Sequence, residues 1–288
     1  MRKKQHLLRA QTWTQPRAQR KALGRREPVL DFLFEYYPYS PTKIEQWFPG
    51  VGIDLEVDDS HYLDHGAFRI QDSVQSLDPA FIDKHRKRLD FVLDLLKGIE
   101  SRPATFNCFG MHEWAMVYRS PAEEIRHPDP LRLSPQQVEE TVDHIGLRCT
   151  HIDAFRFFTS EAAPKNENAA GLIPTRDNQP ELDQKGCLHA NMDLYKYCMW
   201  FQPWVPGELV LDCFELALTT RRLDMQASPY DLTEFGYEPI SIERPEGRAH
   251  YATEQRRISE LADPLRERLT HALVRARDSL FAAFATSP

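Results

Sequence analysis

The chain has 288 residues, 41% of them hydrophobic and 27% charged, with a formal net charge of −7. No apolar run approaches the roughly 20 residues that a membrane-crossing helix needs, so a globular protein with a sizeable core and no membrane partner is expected. The charge is uneven: the first 26 residues hold nine Lys or Arg and no acid before Glu27, which leaves about −16 on the remainder and confines any nucleic-acid contact to residues 1–26.

Residues 1–26 read as a basic N-terminal arm or helix, too polar to add much core, so removing residues 1–20 is expected to leave the rest folded. Residues 27–288 read as one mainly α, compact helical domain with a few short strands. Proline after a capping side chain marks helix starts at Ser40-Pro41, Asp78-Pro79, Ser120-Pro121, Ser134-Pro135 and Ser228-Pro229. The Ser or Asp oxygen accepts from an orphan amide, and Pro at the first helical position gives up no usable hydrogen bond. Gln137 completes a capping box with Ser134. Phe81, Leu89, Val92, Leu93 and Leu96 predict a helix over 78–98, ending at Gly98 as a C-cap.

"RCTHIDAFRFF" at 148–158 is a strand candidate. The Asn-, Pro- and Gly-rich stretch 162–186 reads as a long loop leading into "GCLHANMDLYKYC" at 186–198, which is read as helical from 189. A second long helical pattern covers Val205 to Leu223, with 207–223 predicted as helix. The alternation of Ile240 and Ile242 suggests a short strand. Residues 246–283 form the longest helical pattern, with Ile258, Leu261, Leu265, Leu269, Leu273 and Leu280 as its stripe and Pro264 predicting a kink.

Three segments, "FGMHEWAMVYR", "THIDAFRFF" and "GCLHANMDLYKY", each pair a histidine with a nearby carboxylate among aromatic and Met residues. His189 and Asp193 fall one helical turn apart, and His151 and Asp153 point the same way if their segment is a strand. Such groups hold a metal, work as acid and base, or satisfy one another as a buried network. The metal reading takes His112, His151, Asp153 and His189 as ligands of a divalent iron or zinc ion. Glu113 or Asp193 is then a general base. Asn191 orients a small-molecule substrate, Arg156 and Lys196 hold its anionic group, and Trp114, Tyr118 and Tyr195 wall an aromatic pocket. The zinc-protease pattern H-E-x-x-H is not completed, because Met116 stands where its second His belongs.

Nucleophilic chemistry is a poorer fit. No G-x-S-x-G elbow is present, and Cys149 and Cys187, each two residues from a His, carry no sign of a lowered pKa. With Cys108, Cys198 and Cys213 they form an odd set without a C-x-x-C pair, which reads as reduced thiols in a cytoplasm.

The segments "EPVLDFLFEYYPYSPTKIEQWFPGVG", "FGMHEWAMVYR", "THIDAFRFF", "GCLHANMDLYKYC", "LDCFELA" and "ASPYDLTEFGYEPI" together resemble a bacterial family usually labelled 3-methyladenine DNA glycosylase, over most of the chain after residue 27. The resemblance implies hydrolysis of an N-glycosidic bond to an alkylated base flipped into an aromatic pocket. It assigns no catalytic residue. Within it, "FPGVG" at 48–52 resembles the hairpin of helix-hairpin-helix glycosylases, with Asp72 at the distance of that fold's catalytic aspartate. Asp54, Glu56, Asp58, Asp59 and Asp64 follow instead of an apolar helix, and they would repel a phosphate.

Three functions follow. One is a metal-dependent small-molecule enzyme activating water for hydrolysis or oxygen for oxidation. The second is a base-excision N-glycosylase in which Asp193 or Asp153 activates water. The third is a non-enzymatic protein that binds a small ligand.

Overall fold

Ser134 opens the helix that the sequence marks most clearly. Its hydroxyl accepts from the Gln137 amide while the Gln137 side chain accepts from the Ser134 amide, and α-helix Pro135–Ile145 follows. The computed structural model describes residues 1–56, 66–121, 125 and 127–285, with side chains described to 280. Asp58, Asp59 and Asp64 lie outside them, as does most of the segment that Ser120-Pro121 would open.

Helices dominate the described residues. In chain order they are α1 (Arg2–Ala22), α2 (Phe32–Tyr36), α3 (Pro41–Glu45), α4 (Pro79–Asp83), α5 (Arg86–Ser101), α6 (Met111–Ala115), α7 (Pro135–Ile145), α8 (Ile152–Phe155), α9 (Gln179–Leu182), α10 (Leu188–Trp200), α11 (Gly207–Gln226) and α12 (Pro245–Ala285). Between α3 and α4, β1 (Leu55–Glu56), β2 (Phe68–Gln71) and β3 (Val74–Leu77) form a small antiparallel sheet in the order β1-β3-β2. The protein is a mainly α compact domain with a few short strands.

The helix expected over 78–98 is two helices, α4 and α5. Asp78 caps the first by accepting from the Ala80 amide. Gly98 does not end the second. It lies inside α5 because a Cβ there would stand 2.4 Å from the Pro180 carbonyl, so glycine permits α9 to pack closely. Ser228-Pro229 starts no helix. The Ser228 hydroxyl instead donates back to the Met225 carbonyl and closes the end of α11. The 148–158 segment is not a strand: His151 caps the short helix α8, its Nδ1 accepting from the Asp153 amide. Ile240 and Ile242 lie outside any strand. The long loop 162–186 contains α9 and one short 3₁₀ turn.

"FPGVG" leads into β1 rather than a helix, and it is tied to the start of α11 by the Val51 amide on the Trp204 carbonyl and the Gly207 amide on the Phe48 carbonyl. Asp72 sits exposed at the tip of the β2–β3 hairpin, where it and Ser73 both take positive φ, 49° and 63°. Two such residues make the tight turn whose twist matches the strands. Asp72 therefore serves a turn and stands outside any helix-hairpin-helix arrangement.

Helix α10 is the axis of the core. It is buried almost all round, with Leu188, Met192, Leu194, Tyr195 and Cys198 inside, and it packs against α11 and α12. A helix enclosed in this way can carry polar groups only where partners meet them. Helix α12 runs through Pro264 without ending, burying Ile258, Leu269, Leu273 and Leu280, whereas Leu261 of the expected stripe is 47% exposed.

The basic start of the chain is a docked helix. His6, Ala10 and Thr14, spaced four apart, are buried toward α3 and α11. Arg2 pairs with Glu208, and Arg9 with Asp212 and Glu215, along one edge of α11. Arg20 and Arg26 pair with Asp31 and Asp129. The charge asymmetry of the sequence is thus answered in part within the molecule, since these four arginines of the nine basic residues face acids of their own chain.

Candidate metal centre

Helix α6 enters from two residues of positive φ, Phe109 (47°) and Gly110 (68°), a kink that turns His112 and Glu113 into the interior. From α11, Arg221 and Asp224 arrive one turn apart. His112 Nε2 lies 3.2 Å from both Asp224 oxygens, and the Arg221 guanidinium donates to Glu113 at 2.7 Å and to Asp224 at 3.0 Å. His189, on the first turn of α10, stacks its ring edge to face with that of His112, centroids 4.5 Å apart, and lies 5.4 Å from the His151 ring on its other side. The three histidine segments therefore meet.

Two groups within this region have side-chain donor atoms all within 4.8 Å of one another, close enough to hold one ion: His112, His189 and Asp224, and His151, Asp153 and Asp193. Their surroundings differ. In the second group Asp193 is met by Lys196, by the Tyr37 hydroxyl at 3.0 Å and by the Tyr197 hydroxyl at 3.2 Å. Asp153 accepts two bonds from Arg176, at 2.6 and 3.2 Å, with Lys196 at 3.4 Å. Both nitrogens of His151 are also engaged. Nδ1 takes the Asp153 amide, and Nε2 faces Gln179, Asp193 and Asp183 at 3.3, 3.4 and 3.6 Å. Lysine and arginine already supply the cation there.

The first group keeps an open side. His112, His189 and His151 line a cavity of about 30 Å³ together with Cys108, Cys149, Cys187, Thr105 and Tyr251. By the water-sized space that one solvent molecule requires, it holds about two waters. His189 is half-buried at its edge. Burial, joined by the neighbouring His112 and His151, pushes the His189 pKa well below the ordinary 6.5, so it stands neutral with a free lone pair. His112 is opposite: burial works against its charged form, yet Asp224 and Glu113 raise its pKa above 6.5. Against the same cost of burial, His112 and Arg221 hold the Asp224 carboxyl well below the usual carboxylate range.

The region is rich in negative charge. Glu113, Asp153, Asp183, Asp193 and Asp224 are buried, against Arg221 and Lys196 inside and the half-exposed Arg176 and Arg156 at the rim. Isolated charges in an interior are too costly to persist. Burial pushes the Asp183 carboxyl above its usual range, toward the neutral acid, and the other four acids are matched in number by the four cations. A two-histidine, one-carboxylate set is nevertheless a familiar donor combination for zinc or non-haem iron.

The four expected ligands thus divide, His112 and His189 into one group and His151 and Asp153 into the other. Glu113 and Asp193 sit behind the histidines, held by Arg221 and by Lys196, and neither lines the cavity. Asn191 faces the other way, donating to the Lys185 carbonyl and accepting from Arg266. Lys196 pairs with Asp193 and Asp153, and Arg156 lies at the rim 3.4 Å from Asp153. The aromatic wall is packed core instead. Trp114 donates to the Ala227 carbonyl, Tyr118 to Asp143, and Tyr195 packs among Tyr37, Tyr39 and Phe214. Cys149 and Cys187 are structural in character, since burial pushes the Cys149 thiol up to about 12 and Cys187 well above its usual range.

Asp224, Arg221 and Tyr251 were not anticipated from the sequence. A signal for the first two exists in "CFELALTTRRLDM": Phe214, Ala217, Arg221 and Asp224 continue one buried helical face, so charges occupy positions where the period calls for apolar residues. No protein-family model, curated protein or solved structure matches the chain.

Proposed function

We propose that the protein is a metal-dependent enzyme acting on a small molecule, with His112, His189 and Asp224 as the ligands of a divalent zinc or iron ion. The observation that carries this reading is the juxtaposition of those three donors, two of which, His112 and His189, line a cavity while Asp224 lies behind His112. An ion there supplies a Lewis acid that makes water a nucleophile, for hydrolysis, or, as iron, open positions for oxygen, for oxidation.

The chain's own groups prepare the site. Arg221 bridges Glu113 and Asp224 and fixes the carboxylate that faces His112. Such outer partners orient ligands and tune their basicity. The neutral imidazole of His189 needs no proton removed before it ligates. The glycosylase reading draws little from this geometry, because the aromatics expected to hold a base are packed core and Arg2, Arg9 and Arg20 of α1 are engaged with acids. A ligand-binding protein with an aromatic pocket draws as little, since the expected aromatics are core.

Metal analysis of protein purified without a histidine tag tests the proposal. About one zinc or iron per chain is expected, lost in His112→Ala, His189→Ala and Asp224→Asn and kept in Asp153→Asn. Protein that neither contains nor takes up either metal on dialysis would overturn it.

A further inference from the structure

Asp and Glu outnumber Lys and Arg by 43 to 36 in the chain, yet among the described residues no carboxylate lines the cavity of the candidate centre or the hollow beside it. The same two segments wall both. Thr105, Cys108 and Met111 line the cavity while Asn107 and Phe109 line the hollow; Leu147 and Cys149 line the cavity while His144 and Ile145 line the hollow. Arg148 belongs to both, and Arg248, from the first turn of α12, completes the hollow.

These two arginines are held in place without being neutralised. Arg148 donates from Nη1 to the Ile145 carbonyl at 2.8 Å, and Arg248 from Nη1 to the Ile242 carbonyl at 2.9 Å. Neither has an acid partner among the described residues. Of the acids near them in sequence, Asp143 pairs with Lys165 and Glu243 with Arg132, while Glu246 is exposed. Their Nε and Nη2 groups, the edge with which Arg2, Arg9 and Arg20 grip Glu208, Glu215 and Asp31, are therefore unmatched. Arg148 is exposed, and these nitrogens of the half-buried Arg248 still touch solvent. A guanidinium edge that is fixed, solvated and unmatched meets an oxyanion through two parallel bonds.

We infer that Arg148 and Arg248 bind the anionic group, a carboxylate or a phosphate, of the small molecule whose reacting end enters the cavity. The reaction rests on the metal reading above; the anion site rests on the arginines alone. With no carboxylate lining either hollow, the positive charge is not cancelled locally and draws anions in preference to cations. Arg148, common to the two, sets the anion beside the cavity.

Inorganic phosphate and malonate are the probes, titrated calorimetrically into tag-free protein as purified and again after removal of metal with chelator. Arg148→Gln and Arg248→Gln are treated in the same way, with Arg69→Gln on the β2–β3 hairpin as control. The parent is expected to bind at least one probe in both forms, less tightly as salt rises, and the first two variants to bind it about tenfold more weakly, the effect of losing a charge-assisted bond. Arg69→Gln should match the parent, and the tighter probe tells phosphate from carboxylate. If Arg148 serves only to close the last turn of α7, its variant melts at a lower temperature and binds the probes as the parent does, which overturns the inference. Binding of neither probe, or equal weakening by Arg69→Gln, overturns it too. Anion binding in a protein that takes up no zinc or iron would remove the metal reading and leave the anion site, and metal uptake without anion binding would do the reverse.

Discussion

Arg221 and Glu113, both almost fully buried, join α11 to α6 through a 2.7 Å ion pair, and the same guanidinium reaches Asp224 at 3.0 Å. Its flat face lies 3.8 Å from the centre of the Phe32 ring. Replacing Arg221 by Met keeps the bulk and strands two carboxylates in the interior. The expected cost is about 3–5 kcal/mol, the usual penalty for breaking a buried pair. A divalent ion at His112, His189 and Asp224 would restore positive charge, so zinc should raise the melting temperature of Arg221→Met by more than that of the parent. Melting curves with chelator and with zinc make the comparison, and an equal rise in both would contradict it.

Asp193 gives a way to tell the two His/Asp groups apart. Against the cost of burial, Lys196 and His151 hold its carboxyl far below the usual range. Asp193→Asn should therefore cost about 3–5 kcal/mol by leaving Lys196 and His151 undercompensated. Its metal content should match the parent, since Asp193 does not belong to the open group. Loss of metal in an otherwise folded Asp193→Asn protein would move the ion to His151, Asp153 and Asp193.

His6 sets an acid limit on the docking of α1. Burial lowers its pKa below 6.5, although its Nε2 meets the Ile44 carbonyl at 2.9 Å. The folded state then binds the proton less readily than the unfolded chain. Stability from neutral His6 is complete above 6.5 and falls as the pH drops from 6.5 toward the lowered folded value. His112 and His151, with raised values, act in the opposite sense and are lost on going up in pH. Urea unfolding at several pH values should show a smaller acid loss in His6→Gln than in the parent; identical slopes would rule out this role.

Removal of residues 1–20 is expected to destabilise the protein, in contrast to the reading from sequence alone. The truncation uncovers the faces of α3 and α11 that meet His6, Ala10 and Thr14, and it leaves Glu208, Asp212 and Glu215 without Arg2 and Arg9. Lower soluble yield or a lower melting temperature is the expected outcome. A truncated protein as stable as the parent would show that α1 adds nothing.

Gly186 is where the approach to α10 tolerates no side chain. A Cβ there would stand 2.2 Å from the Thr105 carbonyl oxygen, a backbone atom at the cavity wall, while the Gly186 carbonyl takes the Gln255 bond. Gly186→Ala should cost about 1–3 kcal/mol through overpacking. It should also weaken metal retention, because the loop it displaces leads directly to His189. Unchanged melting and metal content would show that the loop can give way freely.

The features legible in the sequence were those whose causes are local. The Ser134 capping box depends on three neighbouring residues, and the apolar period of α12 accumulates over forty. His189 and Asp193 could be placed on one helical face for the same reason. The 148–158 segment misled because His151 and Asp153 fit a strand's alternation equally well, and what decides for α8 is a single bond from the Asp153 amide to the His151 ring. Asp224 and Arg221 were hidden because a charge on a helix ordinarily marks its wet face. Only the arrival of His112 and Glu113 from α6 makes that face an interior one.

The donors of the candidate centre come from α6, α10 and α11, and Tyr251 comes from α12. A nascent chain that has not yet delivered Asp224 has no such centre, however much of its earlier length has collapsed. Closing so wide a span of sequence is among the slower events of folding. An ion at this position therefore follows the finished fold and does not template it, and translation arrested before residue 224 should yield chains that acquire no cation there.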